Sequence, residues 1–216
     1  MSGSIQHLPG IREMLTRLIS QPSISSASAE WDHSNEPVVR TLAEWLEPMG
    51  FKVEILEVPG LPGKYNLIAT LGSGPGGLVL SGHTDTVPFD DKRWQSDPFT
   101  LTERDDRWYG LGTCDMKGFF PLAIEAAKAF VDQDLKQPLI ILATADEESS
   151  MDGARALAEA GVPVDAVAAV SGGAIVAGLL AMGHDADAIT ARARAAIDRI
   201  DYTLPVIKTA RDQQGL

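Results

Sequence analysis

Apolar residues at helical spacing mark two helices near the beginning of the chain. Over residues 9–20 they recur three or four positions apart, and Pro9 suits the first turn of a helix. The same spacing recurs over residues 36–49 and stops at Gly50, a residue type that often follows the last helical turn. Both segments therefore predict amphipathic helices with one face on a core.

Short apolar runs bounded by glycine and proline predict strands at residues 51–58, 66–71, 78–80 and 138–144. A glycine-rich run at 72–77 predicts a tight connection between two of them, and residues 116–131 predict a further amphipathic helix. Strands that are apolar on both faces and alternate with helices are typical of a sheet covered on both sides. We expect an α/β fold whose mainly parallel or mixed sheet is flanked by helices.

The chain changes character after residue 152, where alanine, glycine and valine become frequent. The pattern predicts a helix, a strand and two more helices, at residues 153–160, 164–170, 173–182 and 185–199. We expect three parts: a larger domain over 8–155, a βα fragment over 156–209 that could complete the sheet, and a frayed tail over 210–216.

Charge and cysteine content narrow the classes of partner and compartment. The formal net charge of −12 disfavours nucleic acid and anionic membranes as partners. Cys114 is the single cysteine, so no intrachain disulfide forms and a reducing compartment is favoured. Neither a secretory signal nor an apolar run of about 18 residues is recognisable. We expect a soluble cytoplasmic protein.

Three segments hold residues that suit a metal site, at residues 81–88, 109–118 and 143–149. The first and third follow predicted strands, and the crevice at the carboxyl ends of parallel strands is where open α/β sheets bind ligands. The imidazole of His83 can donate a nitrogen to a metal ion, and Asp85 can hydrogen-bond the other ring nitrogen. Asp115 can bridge two cations about 3.5–4 Å apart.

The adjacent Glu147 and Glu148 can divide two tasks, since one can bind metal while the other takes a proton from bound water. Each residue alone is also an ordinary feature. A His-x-Asp pair is common in turns, Asp115 can cap a helix, and Cys114 can be a packed thiol. It is their joint occurrence that predicts a metal site.

These segments resemble motifs of the M20 metallopeptidase family. The matching runs are SGHTDTVPFD at residues 81–90, Trp94 with DPF at 97–99, YGLG at 109–112 with DMKG at 115–118, and ADEE at 145–148. The resemblance covers about residues 8–155. It implies a zinc-peptidase-like catalytic domain, here without the lid domain of the family.

The resemblance also implies roles for individual residues. His83 would bind one zinc ion, Asp115 would bridge two, and Glu148 would bind the second; Asp85 would orient His83, and Glu147 would be the general base. A complete site would hold two Zn²⁺, with Co²⁺ as a substitute. The implied reaction is hydrolysis of a linear amide in a small N-acetylated amino acid. The implied substrate is N2-acetylornithine, cleaved to ornithine and acetate in arginine biosynthesis.

Some features of the family are not recognisable in this sequence. They are a further acidic ligand in a Gly-Glu-Pro-type motif, a second zinc histidine near the C-terminus, and the inserted lid domain through which the family dimerises. His184 does not stand in the context of that histidine. We therefore expect a truncated, incomplete site with weak metal binding and low or absent turnover, and the oligomeric state stays open.

The segment from about residue 153 resembles patatin-type phospholipases instead. Ser171 and Gly173 match a Gly-x-Ser-x-Gly turn, but Ala169 replaces its first glycine. Two alternatives to the deacetylase therefore stay open: a patatin-like serine acyl hydrolase, or a non-catalytic chimeric fragment joined near residue 153.

Overall fold

The computed structural model describes residues 8–160 and the main chain of residues 166–168. The described helices are α1 (Ile11–Ile19), α2 (Glu36–Leu46), α3 (Phe119–Ala127) and α4 (Asp152–Glu159). The described strands are β1 (Lys52–Glu57), β2 (Tyr65–Leu71), β3 (Leu78–His83), β4 (Thr102–Arg104), β5 (Arg107–Tyr109), β6 (Leu139–Thr144) and β7 (Ala166–Ala168). None of the helices in these ranges is both long and apolar enough to cross a membrane.

Five of the strands form one mixed sheet in the order β1-β2-β6-β3-β7. The β1–β2 and β2–β6 pairs are antiparallel, whereas β3 runs parallel to both β6 and β7. The expectation of a mainly parallel or mixed sheet flanked by helices is therefore confirmed in its mixed form, since the described pairings are parallel on one side of the sheet and antiparallel on the other.

The glycine-rich connection at 72–77 joins two strands that are not neighbours, because β6 lies between β2 and β3. Gly77 lies where the connection passes closest to β6. Its φ is +121°, and a Cβ there would come within 2.2 Å of the Pro138 carbonyl oxygen. Only glycine combines that backbone angle with so close an approach.

Helices α1, α2 and α3 supply most of the core on one face of the sheet. Met14 and Leu18 of α1 are fully buried, as are Leu42 and Leu46 of α2. They pack with alternate residues of the two central strands and with α3, among them Leu67, Ile141, Phe120 and Ile124. The predicted spacing of apolar residues is confirmed for α1 and α2. By contrast, α3 begins at Phe119 and not at residue 116, because residues 115–118 form a loop.

A two-stranded hairpin, β4–β5, lies outside the sheet and was not predicted. Its turn residues, Asp105 and Asp106, have φ values of 52° and 55°. Two consecutive positive φ angles define the turn that matches the twist of a two-residue hairpin, and aspartate tolerates them better than most residues. The two consecutive aspartates are the sequence feature that could have indicated this turn. The strands on either side are only three residues long, so they give no recognisable strand pattern.

Strand β7 lies within the strand predicted over 164–170 and pairs with β3 at the end of the sheet. The helices predicted over 173–182 and 185–199, the tail over 210–216, Ser171 and the first seven residues lie outside the described residues. The division of the chain near residue 155 stays a prediction.

Candidate metal centre

Two parallel strands bring the predicted site residues to one edge of the sheet. His83 ends β3 and pairs with Thr144, which ends β6. The main chain continues the contact for one more residue, since the Thr84 amide donates to the Thr144 carbonyl oxygen at 2.9 Å. Because both strands end at the same level, the segments that carry Asp85 and the Glu147–Glu148 pair leave the sheet side by side.

The imidazole of His83 is buried, with only 3% of its surface exposed, and its two nitrogens face different groups. Nδ1 lies 3.0 Å from the main-chain oxygen of Asp85 and 3.5 Å from that residue's carboxylate. Nε2 lies 3.1 Å from Oδ1 of Asp115 and 3.8 Å from Oε2 of Glu147. Asp85 thus contacts the ring nitrogen predicted for it, with its carbonyl closer than its carboxylate.

A neutral His83 in this arrangement donates Nδ1–H to Asp85 and directs the Nε2 lone pair at the acidic residues. Burial alone would lower the pKa of His83. The hydrogen bond and charge of Asp85, together with Glu147 and Asp115, outweigh it and raise the pKa to about 9. Without a cation, a proton on Nε2 is therefore what balances the surrounding negative charge.

Asp85 is fully buried and links the two segments of the site. Its Oδ2 accepts a hydrogen bond of 3.0 Å from the main-chain amide of Glu148. Burial would raise the pKa of Asp85, but the hydrogen bond and charge of His83, the Glu148 amide and the Ser25 hydroxyl lower it. Asp85 therefore stays ionised and holds His83 and Glu148 together.

Glu147 and Glu148 complete the cluster. Ligand atoms of His83, Glu147 and Glu148 all lie within 4.8 Å of one another. Burial, and then the charges of neighbouring carboxylates, raise the pKa of both glutamates against the opposing charge of His83, that of Glu148 to about 7. Within residues 8–160, no hydrogen-bond donor satisfies either carboxylate.

Asp115 approaches the cluster from the loop that precedes α3, and its side chain is 61% exposed. The loop closes on itself, because the Gly118 amide donates to the Gly112 carbonyl oxygen at 3.2 Å. Lys117 anchors it from inside: its buried ammonium donates to the carbonyl oxygens of Leu18 and Gln21 at the end of α1. An exposed carboxylate on a fixed loop can bind a cation together with His83.

Replacing Gly118 with alanine is expected to lower the free energy of unfolding by about 3 kcal/mol, because the added Cβ has no room. It would lie 2.2 Å from the Thr113 carbonyl oxygen, although the φ of −63° suits alanine. Urea denaturation of the full chain measures the change. Gly10→Ala is the matched control, since no atom lies within 4 Å of its Cβ, and it should cost less than about 1 kcal/mol. Equal losses in the two variants would contradict the steric explanation.

Several polar residues that hold the site were not predicted. Asn66 donates to the Gly153 carbonyl oxygen at 2.9 Å and accepts from the Ala145 amide at 3.0 Å, which ties both ends of the acidic segment to β2. Asn35 donates to the Thr84 hydroxyl next to His83. Asp146 has a φ of 62°, and its carboxylate accepts from the Ser150 amide. The sequence feature that could have indicated the role of Asn66 is an asparagine inside an otherwise apolar strand.

The donor set fits a divalent transition-metal ion. One imidazole nitrogen and three carboxylates are ligands that zinc accepts, and the ring is held in the tautomer that exposes Nε2. The carboxylates of Glu147 and Glu148 lie together with His83 in a partly buried cluster, where a cation would offset the repulsion between neighbouring carboxylates. The predicted ligands His83 and Glu148 lie together with Glu147, and Asp115 contacts Nε2 of His83, the same ring nitrogen that faces Glu147.

Comparison with known proteins agrees with this arrangement. A family model described as peptidase family M20/M25/M40 matches residues 79–209, which is more than half of the chain. The chain belongs to this family. The matched range also includes the segment compared above with patatin-type phospholipases, and that second resemblance stays a prediction.

The chain is also similar to individual curated proteins. It is 58% identical over 148 residues to an acetylornithine deacetylase of Proteus mirabilis (strain HI4320), covering 68% of this chain and 38% of that protein. It is 55% identical over 152 residues to an acetylornithine deacetylase of Salmonella arizonae (strain ATCC BAA-731 / CDC346-86 / RSK2980), covering 70% and 40% respectively. The chain thus spans about two fifths of the length of these relatives.

Solved structures share the fold. Human carnosine dipeptidase 1 is 27% identical with a TM-score of 0.58, over 69% of this chain and 34% of that chain. The di-peptidase Dug1p from Saccharomyces cerevisiae is 23% identical with a TM-score of 0.56, over 76% and 39%. The mixed sheet with its flanking helices is therefore the architecture of this family's catalytic domain.

Proposed function

We propose that the chain carries the metal centre of a zinc-dependent amide hydrolase that converts N2-acetylornithine and water into ornithine and acetate. The observation that carries this proposal is the convergence of carboxylates on His83: its Nε2 lies 3.1 Å from Asp115 and 3.8 Å from Glu147, and Glu148 lies in the same cluster. The substrate is inferred from the relatives named acetylornithine deacetylase. The proposal includes a cytoplasmic location and the division of the chain near residue 155.

Four residues would hold and orient the metal. His83, Asp115 and Glu148 would be its ligands, and Asp85 would keep Nδ1 of His83 protonated so that Nε2 stays available. Bound Zn²⁺ or Co²⁺ would polarise the amide carbonyl and lower the pKa of a water molecule towards about 7.

Glu147 would be the general base. Its carboxylate is partly buried, and burial, together with the charges of Asp85 and Asp115, raises its pKa towards the range where a carboxylate accepts a proton readily. It would take the proton from the attacking water. It would give that proton to the amide nitrogen as the C–N bond breaks, so that ornithine leaves as a neutral amine and the acetyl group leaves as acetate. Proton transfer through one residue leaves Glu147 in its starting state.

The charge of the chain is compatible with this substrate. Ornithine carries a side-chain ammonium group, and the chain has 30 acidic against 18 basic residues. An acidic surface attracts such a cation over a distance of about 10 Å at ordinary ionic strength.

The test compares two acylated substrates on the full chain. The protein is stripped of metal and titrated with Zn²⁺ or Co²⁺. Acetate release from N2-acetylornithine and succinate release from N-succinyl-diaminopimelate are then measured. We expect slow, metal-dependent release of acetate, which is slower still in His83→Ala, and less succinate than acetate.

Three results would contradict the proposal in different ways. If succinate is released faster than acetate, the substrate is a different acylated amino acid from N2-acetylornithine. Metal binding without hydrolysis of either substrate would support a non-catalytic metal-binding protein. Labelling by a fluorophosphonate probe that disappears in Ser171→Ala would support the patatin-like serine hydrolase.

A further inference from the structure

A buried lysine holds the segment that borders Asp85. Lys64 precedes β2 and is only 3% exposed. Its ammonium faces four oxygens, all from residues 24–33: the Asp32 carboxylate at 2.7 Å, the His33 carbonyl at 2.8 Å, the Ser25 hydroxyl at 3.2 Å and the Ile24 carbonyl at 3.3 Å. An ammonium group only donates hydrogen bonds, so each of these oxygens acts as the acceptor.

The segment that Lys64 holds lies directly against the segment that carries Asp85. Ile24 forms a parallel bridge with Thr86, the Ser25 amide donates to the Thr86 carbonyl oxygen at 3.0 Å, and the Thr86 amide donates to the Ser23 carbonyl oxygen at 3.1 Å. The Ser23 hydroxyl donates to the Thr84 carbonyl oxygen at 2.7 Å. Asp85 is therefore clamped on both sides of its own main chain.

The hydroxyl of Ser25 connects the two groups. Because Lys64 donates to the Ser25 oxygen, the hydroxyl hydrogen of Ser25 is free to point elsewhere. Within the described ranges, Oδ1 of the neighbouring buried Asp85 carboxylate accepts no hydrogen bond of ordinary geometry, so it is the acceptor left for this hydrogen. The same hydroxyl lowers the pKa of Asp85. The positive charge of Lys64 thus polarises a donor on the segment that borders Asp85.

We propose that Lys64 and Ser25 are positioning residues for the metal centre: through the Ser25 hydroxyl they fix the Asp85 carboxylate, and Asp85 in turn fixes His83 and the Glu148 main chain. This role rests on the metal site proposed above. Neither residue touches the ligand atoms of the cluster, so they act only through Asp85. Groups that orient metal ligands from behind typically contribute 10- to 100-fold to metal affinity.

The experiment uses the full chain and two variants, with two measurements on each. Ser25→Ala removes the hydroxyl, and Lys64→Met removes the ammonium but keeps an unbranched stem. Lys52→Met is the matched control, because Lys52 is a lysine of the adjacent strand β1 whose side chain is 78% exposed. The measurements are the affinity for Co²⁺ with its visible absorption spectrum, and amide hydrogen exchange in the metal-free chain.

We expect Ser25→Ala and Lys64→Met each to lower the Co²⁺ affinity about tenfold and to change the spectrum, with no effect of Lys52→Met. In the metal-free chain, the Glu148 amide should exchange at least about tenfold faster in Ser25→Ala, because its acceptor Asp85 is no longer fixed. The Ile141 amide, in the central strand β6, should be unchanged, which separates this effect from a general loss of stability.

The positioning role is overturned if Ser25→Ala leaves both the Co²⁺ affinity and the Glu148 exchange rate within twofold of the original chain. It is also overturned if Lys64→Met folds and behaves like Lys52→Met. Should Lys64→Met not fold, Ser25→Ala alone decides. Should the original chain bind no metal, the proposed function fails while the exchange of Glu148 still decides whether Ser25 fixes Asp85.

Discussion

The affinity of the metal-free chain for Co²⁺ or Zn²⁺ should rise about a thousandfold between pH 6 and pH 8, because metal binding must displace protons. Asp85 and the neighbouring acids raise the pKa of His83 to about 9 against the effect of burial. Burial raises the pKa of Glu148 to about 7. Both groups bind metal only when deprotonated, so the affinity falls as the pH falls. His83 contributes over the whole interval and Glu148 mainly below pH 7.

Competition with a chromophoric chelator measures this affinity at each pH. Calorimetry in two buffers with different ionisation enthalpies gives the number of protons released per metal ion. We expect a value near one at pH 8 and near two at pH 6. An affinity that is constant between pH 6 and pH 8 would show that neither His83 nor Glu148 carries a proton that the metal displaces.

Replacing His83 with alanine should lower the affinity for Zn²⁺ by at least about 100-fold, because it removes the nitrogen donor to which the carboxylates converge. Asp115 and Glu147 contact this ring at 3.1 Å and 3.8 Å. Without the imidazole they have no common partner among the described residues, and their mutual repulsion opposes closure of the site.

His33→Ala is the matched control for this substitution. His33 is half-buried, and its Nδ1 lies 2.8 Å from the Trp31 carbonyl oxygen, outside the acidic cluster. We expect its Zn²⁺ affinity to stay within about threefold of the original chain. A loss of affinity in His33→Ala as large as that in His83→Ala would place the metal elsewhere.

Much of the local structure could be predicted from the sequence, because helix spacing and short apolar runs reflect nearby residues. The position of β6 between β2 and β3 could not, since pairing joins residues far apart in the chain. The β4–β5 hairpin pairs residues that are close in the chain and was missed for a different reason, since each of its strands is only three residues long.

The candidate site also consists of residues that could be predicted from the sequence and residues that could not. His83, Asp85 and the Glu147–Glu148 pair were recognisable because they stand at the ends of apolar runs. Lys64 and Asn66 were not, because lysine and asparagine are usually exposed, and only the folded chain shows that both are buried. Residues that bind metal carry a motif, whereas those that support them are recognised by their contacts.

The link from Asp85 to both His83 and the Glu148 amide has a consequence for how the centre comes apart. Asp85 joins the ends of β3 and β6, because its main-chain oxygen contacts His83 and its carboxylate accepts from the Glu148 amide, so one strand end cannot fray without disturbing the other. Departure of a cation and local opening of that edge would then occur as a single cooperative event, and the lifetime of the bound ion would be set by the main chain as much as by its ligands.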